Sequence, residues 1–352
     1  MEAAALDFFK RLLETPSPSG FEQPIQKVVR EYVASFADDV STDVHGNVYV
    51  VRNPGAPLRV MLAGHCDQIG FLVQYIDGEG FLYVQPIGGW DPQVLIGQKL
   101  TVWTRSGPIF GCIARKPIHL LADDERSKVP KLKDLWVDIG AKDKADAAER
   151  VKVGDPVTLE LGYRPMINDL AASPAMDDKT GLWVAIEAVR RTAGKPLKCS
   201  FAAVSTVQEE VGCRGAITST YQFNPHVGIA IDVTHATDCP TIDKKQEGDI
   251  GLGKGPVIFR GPNMNTAVAD RLVDTATARE IPFQLAAMGR ISPTDANTMQ
   301  VSRGGIAAGL VSIPNRYMHS PVEMISLNDI DRAADLLAEF ALSLSGGESF
   351  VP

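Results

Sequence analysis

The spacing of apolar residues changes several times along the chain, and each change marks a different kind of element. Over residues 3–14, Leu6, Phe9, Leu12 and Leu13 fall on one helical face. After the breaker cluster TPSPSG, Ile25, Val28, Val29, Tyr32, Val33 and Phe36 repeat that spacing. Two amphipathic helices are therefore predicted. A Gly46-Asn47 turn introduces the strand VYVV, and the apolar run RVMLAG (59–64) predicts a second strand that leads straight into His65. Between about residues 70 and 167 the texture becomes a series of short strand-like pieces: FLVQYI, FLYVQPI, KLTVWT, PIFGCIA, LWVDIG and PVTLELG. Turn signals such as Asp77-Gly78-Glu79-Gly80 and Ser106-Gly107-Pro108 separate them, and only residues 145–151 look helical. This predicts a small all-β barrel or sandwich.

Beyond Asn168 the alternation of strands and helices returns. Helices are predicted over 181–191, 266–280 and 328–345, and strands over 201–207, 226–231, 283–288 and 307–313. The expected organisation is one discontinuous α/β domain, residues 1–68 and 168–352, interrupted by a β domain over 69–167. A length of 352 residues agrees with roughly two domains.

Composition narrows the picture. Apolar residues at 45% and charged residues at 22% support a buried core. Lys plus Arg at 35 against Asp plus Glu at 43 leaves a net charge of −8, without the basic excess expected of a nucleic-acid binder. The N-terminus MEAAALDFFKRLLE does not read as a secretory signal, and no run reaches membrane-spanning length. Cys66, Cys112, Cys199, Cys213 and Cys239 are odd in number, widely spaced and without a CxxC pair. Free thiols in a reducing cytoplasm are expected.

The chemistry sits where apolar strands stop. RVMLAG ends in His65-Cys66-Asp67, FAAVSTV leads to Gln208-Glu209-Glu210, VGIAI ends in Asp232, and IPNRYM leads to His319. ASPAMDDKTG places Asp177 and Asp178 just before a helix. Ligands of open α/β sheets bind at the carboxyl ends of the strands, so these side chains are expected on one rim. Imidazoles and carboxylates together suit zinc, cobalt or manganese, and one carboxylate can bridge two ions. Of two adjacent glutamates, one can take a proton from water while the other holds a metal. Asp67 would accept the second imidazole N–H of His65 and fix its tautomer. Cys66 is expected to point away from the site as an inert thiol, because alternate strand residues face opposite sides. Cys213 is given the same inert role. GLGKGP (251–256) lacks a phosphate-loop pattern and is expected to be a turn-rich connection.

The segments GHCDQIGFLV, AMDDKTG, VQEEVGCRGA, AIDVTHA and RYMHSPVE, in this order, resemble the motifs of the tetrahedral (TET), glutamyl and deblocking aminopeptidases. These are dinuclear metallopeptidases, some of which carry cellulase or endoglucanase labels. The resemblance spans essentially the whole chain. It implies that His65 and Asp232 bind one metal, Glu210 and His319 the other, and Asp177 both. Glu209 would be the general base, with Asp67 and Asp178 supporting the ligands. It further implies a three-layer α/β/α catalytic domain, an inserted β domain that drives dimerisation, peptide substrates, and dimers that build a tetrahedral dodecamer. Cys66 and Gln68 depart from the family's usual Met and Glu. The alternatives are a two-metal carboxypeptidase or N-deacylase, a cellulase, and a non-catalytic assembly protein.

Overall fold

A computed structural model describes residues 1–351. The apolar strands Ser200–Thr206, Arg59–His65, Val227–His235 and Ala307–Asn315 lie side by side and parallel at the centre of an eight-stranded sheet. Such strands must be covered on both faces, and they are. Val60, Leu62, Phe201, Ala203, Ile229 and Ile231 enter one core, while Met61, Ala63, Ala202, Val204 and Ala230 enter another. The first core is closed by helices Ala3–Glu14, Gln23–Val33, Met176–Arg191, Thr266–Ala278 and Leu327–Leu342. Helices Arg214–Phe223 and Asp295–Gln300 supply Ala216, Ala296 and Met299 to the second. The result is the three-layer α/β/α arrangement.

Residues from Gly70 to Leu159 carry a closed barrel of six strands with its own core, including Phe71, Val73, Leu82, Leu100, Val102, Val137 and Val157. The pieces read as strands in the sequence are the strands of this barrel. Besides the expected helix, Lys144–Arg150, the block holds a single-turn helix at Asp123–Arg126. A small antiparallel sheet of Arg164–Pro165, Leu170–Ala172 and Met324–Ser326 joins the chain leaving the barrel to the segment that follows His319.

Several elements were not visible in the spacing. Helix Arg214–Phe223 buries only Gly215, Ala216, Ser219 and Thr220, so it has no apolar stripe to read. Strands Asp39–Thr42, at one edge, and Val257–Arg260, next to the other edge, are short, and each pairs antiparallel with the strand on its inner side. The strand expected to stop at Ile231 continues to His235, which places Asp232 inside the ladder opposite Ser312. The GLGKGP loop is a structural turn: the Asp329 carboxylate accepts hydrogen bonds from the Gly253 and Gly255 amides, both at 2.7 Å.

The central helix is the frame of the molecule. Every residue from Met176 to Val189 is buried, which explains its weak amphipathic pattern. Trp183 Nε1 donates to the Ala5 carbonyl at 2.8 Å. Lys179 Nζ donates to the Thr15 carbonyl and to Gln68 Oε1, each at 2.7 Å, fastening the start of the helix to the chain just beyond His65. Burial pushes this lysine down to about 7. Opposite it, Gly64 allows strand and helix backbones to touch. A Cβ at that position would lie 2.5 Å from the Leu182 nitrogen and 2.6 Å from the Gly181 oxygen. Neither backbone atom can rotate away. Gly64→Ala is therefore expected to lower unfolding free energy by ~1–3 kcal/mol, the usual cost of overpacking. Urea unfolding checks this; an unchanged midpoint would contradict the close approach.

Candidate metal centre

Parallel packing brings the strand ends to one rim, and the helix start supplies the facing carboxylates. His65 is 2% exposed at the end of its strand. Its Nδ1 lies 3.0 Å from the Asp67 carbonyl oxygen. A proton held there leaves Nε2 as the free lone pair. The tautomer contact expected from the Asp67 carboxylate is thus made chiefly by its main chain, with carboxylate Oδ1 farther off at 3.5 Å. The carboxylate is occupied otherwise. It accepts from the amides of Glu209 at 2.9 Å and Glu210 at 3.2 Å and from Ser19 Oγ at 2.7 Å. Asp67 therefore orients both glutamates.

Asp177 and Asp178 precede the regular helix in non-helical backbone conformations and point to different partners. Asp177 Oδ1 lies 3.2 Å from His65 Nε2, and its Oδ2 lies 3.3 Å from His319 Nε2. One carboxylate thus spans two imidazoles. Asp178 instead accepts from the Gly181 amide at 2.9 Å and the His65 amide at 3.3 Å, so it braces the helix start against the strand end. His319 Nε2 is also 3.6 Å from Glu210 Oε2, and His65 Nε2 is 3.9 Å from Glu209 Oε2. Two groups that could each hold a cation share His65: His65, Asp177 and Glu210, and His65, Asp178 and Asp232. All the residues singled out in the sequence are thereby brought together.

Some participants were missed. Glu323, 1% exposed, accepts from the Asp177 amide at 2.9 Å and the His319 amide at 2.7 Å, locking the backbones of both residues. It lies within RYMHSPVE, but a lone glutamate four residues past a histidine has no pattern that announces this. The barrel also reaches the site. Gly88 has φ +72°, and a Cβ there would meet Ile69 and come within 3.2 Å of Glu210 Oε2. A Cβ on Gly89 would lie 3.4 Å from His319 Nδ1. Cys66 is fully buried in the helix-side core, as its alternation required, and all five cysteines are free.

The electrostatics describe a cluster short of positive charge. Burial pushes Glu209 up to about 7, and the Asp295 and Asp177 charges add to the effect. Burial and Asp177 raise Glu210, and burial with Asp178 and Asp177 raises Asp232. Burial alone would lower His65, but Asp177 and Asp67 outweigh it and raise the imidazole. Asp177 raises His319. Burial would raise Asp177, yet the two imidazoles hold it well below the carboxylate range. Glu210 Oε1 is buried with no hydrogen-bond partner. An orphaned carboxyl oxygen among imidazole nitrogens and carboxylates is what bound divalent cations would satisfy.

The family model described as M42 glutamyl aminopeptidase matches residues 46–336. The chain belongs to that family, and with these clusters it is a metal-dependent hydrolase of the peptidase class. Among its relatives is a lysyl aminopeptidase of Pyrococcus furiosus, 37% identical over 339 residues, covering 94% of each chain. The TET aminopeptidase of the marine sediment archaeon Thaumarchaeota archaeon SCGC AB-539-E09 superposes with a TM-score of 0.92 at 35% identity, over 97% of this chain and 96% of that one. The Pyrococcus horikoshii TET1 peptidase, which can assemble into a tetrahedron or a large octahedral shell, gives 0.86 at 30% identity over 97% and 100%. Among the described residues, no helix is long and apolar enough to cross a membrane.

The charge balance has a consequence for the metal-free protein. Groups whose folded pKa is raised hold protons that the unfolded chain releases, so stability falls as pH rises through the range between the two values. Glu209, Glu210, Asp232, His65 and His319 all act in that sense. Lowered Asp177 acts oppositely, but only below its ordinary value near 3.8. Chelator-treated protein should therefore lose thermal stability between about pH 5 and pH 7, at a rate of ~1.4 kcal/mol per pH for each proton that only the folded chain retains. Metal-loaded protein should keep most of it. Calorimetry on both forms checks this; parallel pH curves would refute a charge-starved site.

Proposed function

We propose that the protein is an aminopeptidase that removes N-terminal residues from peptides using two divalent ions, zinc or cobalt, with manganese also suited to the donors. The observation that carries this is the Asp177 carboxylate, whose two oxygens face different imidazoles while Glu209 stands beside it. In this reading His65 and Asp232 hold one ion, Glu210 and His319 the other, and Asp177 both. Bound there, the ions make water a nucleophile at neutral pH and polarise the scissile carbonyl.

The chain's own groups do the rest. Glu209 takes a proton from the attacking water and delivers it to the leaving amine. Asp67 holds the amides of Glu209 and Glu210, keeping the proton carrier and the ligand in fixed relation. The free α-amino group of the substrate would bind at the ions and the neighbouring carboxylates, which excludes blocked N-termini. A cavity of about 1180 Å³, lined in part by His235, Glu247, Met288, Arg290 and Tyr317, begins two residues beyond Asp232 in the chain and would be the space for the substrate's first side chain.

Residues 1–68 and 168–352 would act as the catalytic unit, and the inserted 69–167 domain as the dimerisation body. Phe110, Ile118, Leu120 and Val129 leave apolar surface exposed on that domain. Higher assembly, up to a tetrahedral dodecamer, is supported by the relative from Pyrococcus horikoshii. Five free thiols suit a reducing cytoplasm.

The other readings fit less well. A glycosidase needs two carboxyls flanking a sugar bond and has no use for paired imidazoles on one carboxylate. A carboxypeptidase or N-deacylase would share the core, but the relatives above bear aminopeptidase names. A non-catalytic assembly protein would not need Glu209 set next to the cluster. Glu209→Gln should retain metal and fold while kcat falls ~10²–10⁴-fold; near-normal turnover would remove Glu209 from its role. His319→Ala should bind one metal fewer per chain by elemental analysis, and two retained ions would overturn the ligand scheme. Free-amine aminoacyl anilides should be cleaved and their N-acylated counterparts left intact. The reverse preference would mark an N-deacylase.

A further inference from the structure

One cluster next to the centre joins Glu209 to two residues that nothing described above uses. Cys213 Sγ donates to Glu209 Oε1 at 3.1 Å. Asp295, 3% exposed on another helix, completes the group: one ligand-type atom from each of Glu209, Cys213 and Asp295 lies within 4.8 Å of the other two. The Asp295 carboxylate is half satisfied. Its Oδ2 accepts from Thr206 Oγ1 at 2.7 Å, but its Oδ1 is buried without any partner. A buried carboxylate oxygen left bare beside a thiol and a second carboxylate is costly unless something positive sits there.

The backbone makes the arrangement durable. The amides of Gly212 and Cys213 both donate to the Glu209 carbonyl, at 2.8 and 2.9 Å, closing a turn that turns side chains 209 and 213 towards one another. Cys213 keeps a left-handed φ of 52° at the entry of helix Arg214–Phe223. It is also partly exposed, which leaves a path from solvent. Tetrahedral zinc with bonds of about 2.3 Å to sulfur and about 2.1 Å to oxygen separates those ligand atoms by roughly 3.6 Å. The sulfur lies 3.1 Å from Glu209 Oε1, and all three ligand atoms lie within 4.8 Å of one another, so side-chain movements of about 1 Å would reach that separation.

We propose that Glu209, Cys213 and Asp295 form a third cation site, for a thiophilic divalent ion such as zinc, and that filling it withdraws Glu209 from catalysis. The step is ligand exchange alone. A sulfur–metal bond forms, the thiol proton passes to solvent, and no group is oxidised or reduced. A thiolate ligand selects zinc-like ions over manganese, so this site differs from the imidazole–carboxylate centre in preference. The second half of the proposal rests on Glu209 being the general base.

The test titrates Cd²⁺, as a spectroscopically visible stand-in for zinc, into the fully zinc-loaded enzyme. A sulfur-to-cadmium ultraviolet absorption band should grow to one equivalent per chain while turnover falls in parallel, and Mn²⁺ should cause neither. Cys213→Ala should abolish the band and move the inhibition midpoint, relative to that variant's own activity, upward by about tenfold or more. Asp295→Asn should weaken both effects, and Cys213→Ser provides a second variant without the thiolate. An equal band in Cys213→Ala overturns the site. A band at Cys213 that leaves turnover untouched, in an enzyme whose Glu209→Gln variant is inactive, overturns the inhibitory role. Near-normal turnover of Glu209→Gln would instead sink the functional reading and leave the band in place.

Discussion

Everything at the rim follows from placing carboxylates close together and out of water. Asp177 is the pivot: two imidazoles hold it ionised against burial, and its charge adds to the burial that raises Glu210, Asp232 and Glu209. Such a cluster would spread apart if its members were free to move. The structure prevents this with groups that touch main chain. Asp67 grips the amides of Glu209 and Glu210, Asp178 grips His65 and Gly181, and Glu323 grips Asp177 and His319. Each uses a carboxylate to fix the backbone of the residues that face the centre. The acidity is thus of two kinds. Some carboxylates are satisfied by amides, and others, like Glu210 Oε1, are left open for a cation.

The sheet explains why this crowding is possible. Its four central strands run in one direction, and their middles are apolar, so the polar residues gather towards the carboxyl ends and arrive together. Gly64 lets the Asp177-bearing helix lie directly on the strand that ends in His65. Lys179 then ties this helix to the N-terminal helix and to Gln68. The barrel is part of the same solution. Gly88 and Gly89 lie against Glu210 and His319, so the inserted segment forms a wall of the centre although its core is separate.

This division decides what the sequence could reveal. The barrel strands and the apolar parallel strands were legible because burial imposes their pattern directly. His65, Glu209, Glu210, Asp232 and His319 were legible because ionisable residues are conspicuous where apolar strands give out, and Asp177 because paired acids open a helix. Helix Arg214–Phe223 was hidden because it packs through small residues. The full length of the strand bearing Asp232 was not legible, because nothing local shows that Ser312 continues the ladder beside it. The supporting contacts were least legible. The Asp67 carboxylate serves amides that lie more than a hundred residues away in sequence, and Glu323 serves Asp177 across a similar gap. Such bonds depend on register and crossing geometry, which a single sequence does not print.

Cys213 shows the same limit from the other side. In sequence it is a thiol after Glu210-Val211-Gly212 that is expected to be inert. What changes its meaning is Asp295, brought up by a short helix whose six residues left no period to read. Thr206 holds one oxygen of Asp295 and leaves the other bare. The proton carrier of the proposed reaction therefore stands between two environments, the imidazole–carboxylate centre on one side and a thiol with a buried acid on the other. A glutamate that must accept and release protons benefits from contacts weak enough to exchange, and a thiol is a weaker hydrogen-bond donor than an amide or hydroxyl. The Cys213 contact can thus steady Glu209 without claiming it, and that same softness is what makes the pair open to a thiophilic ion.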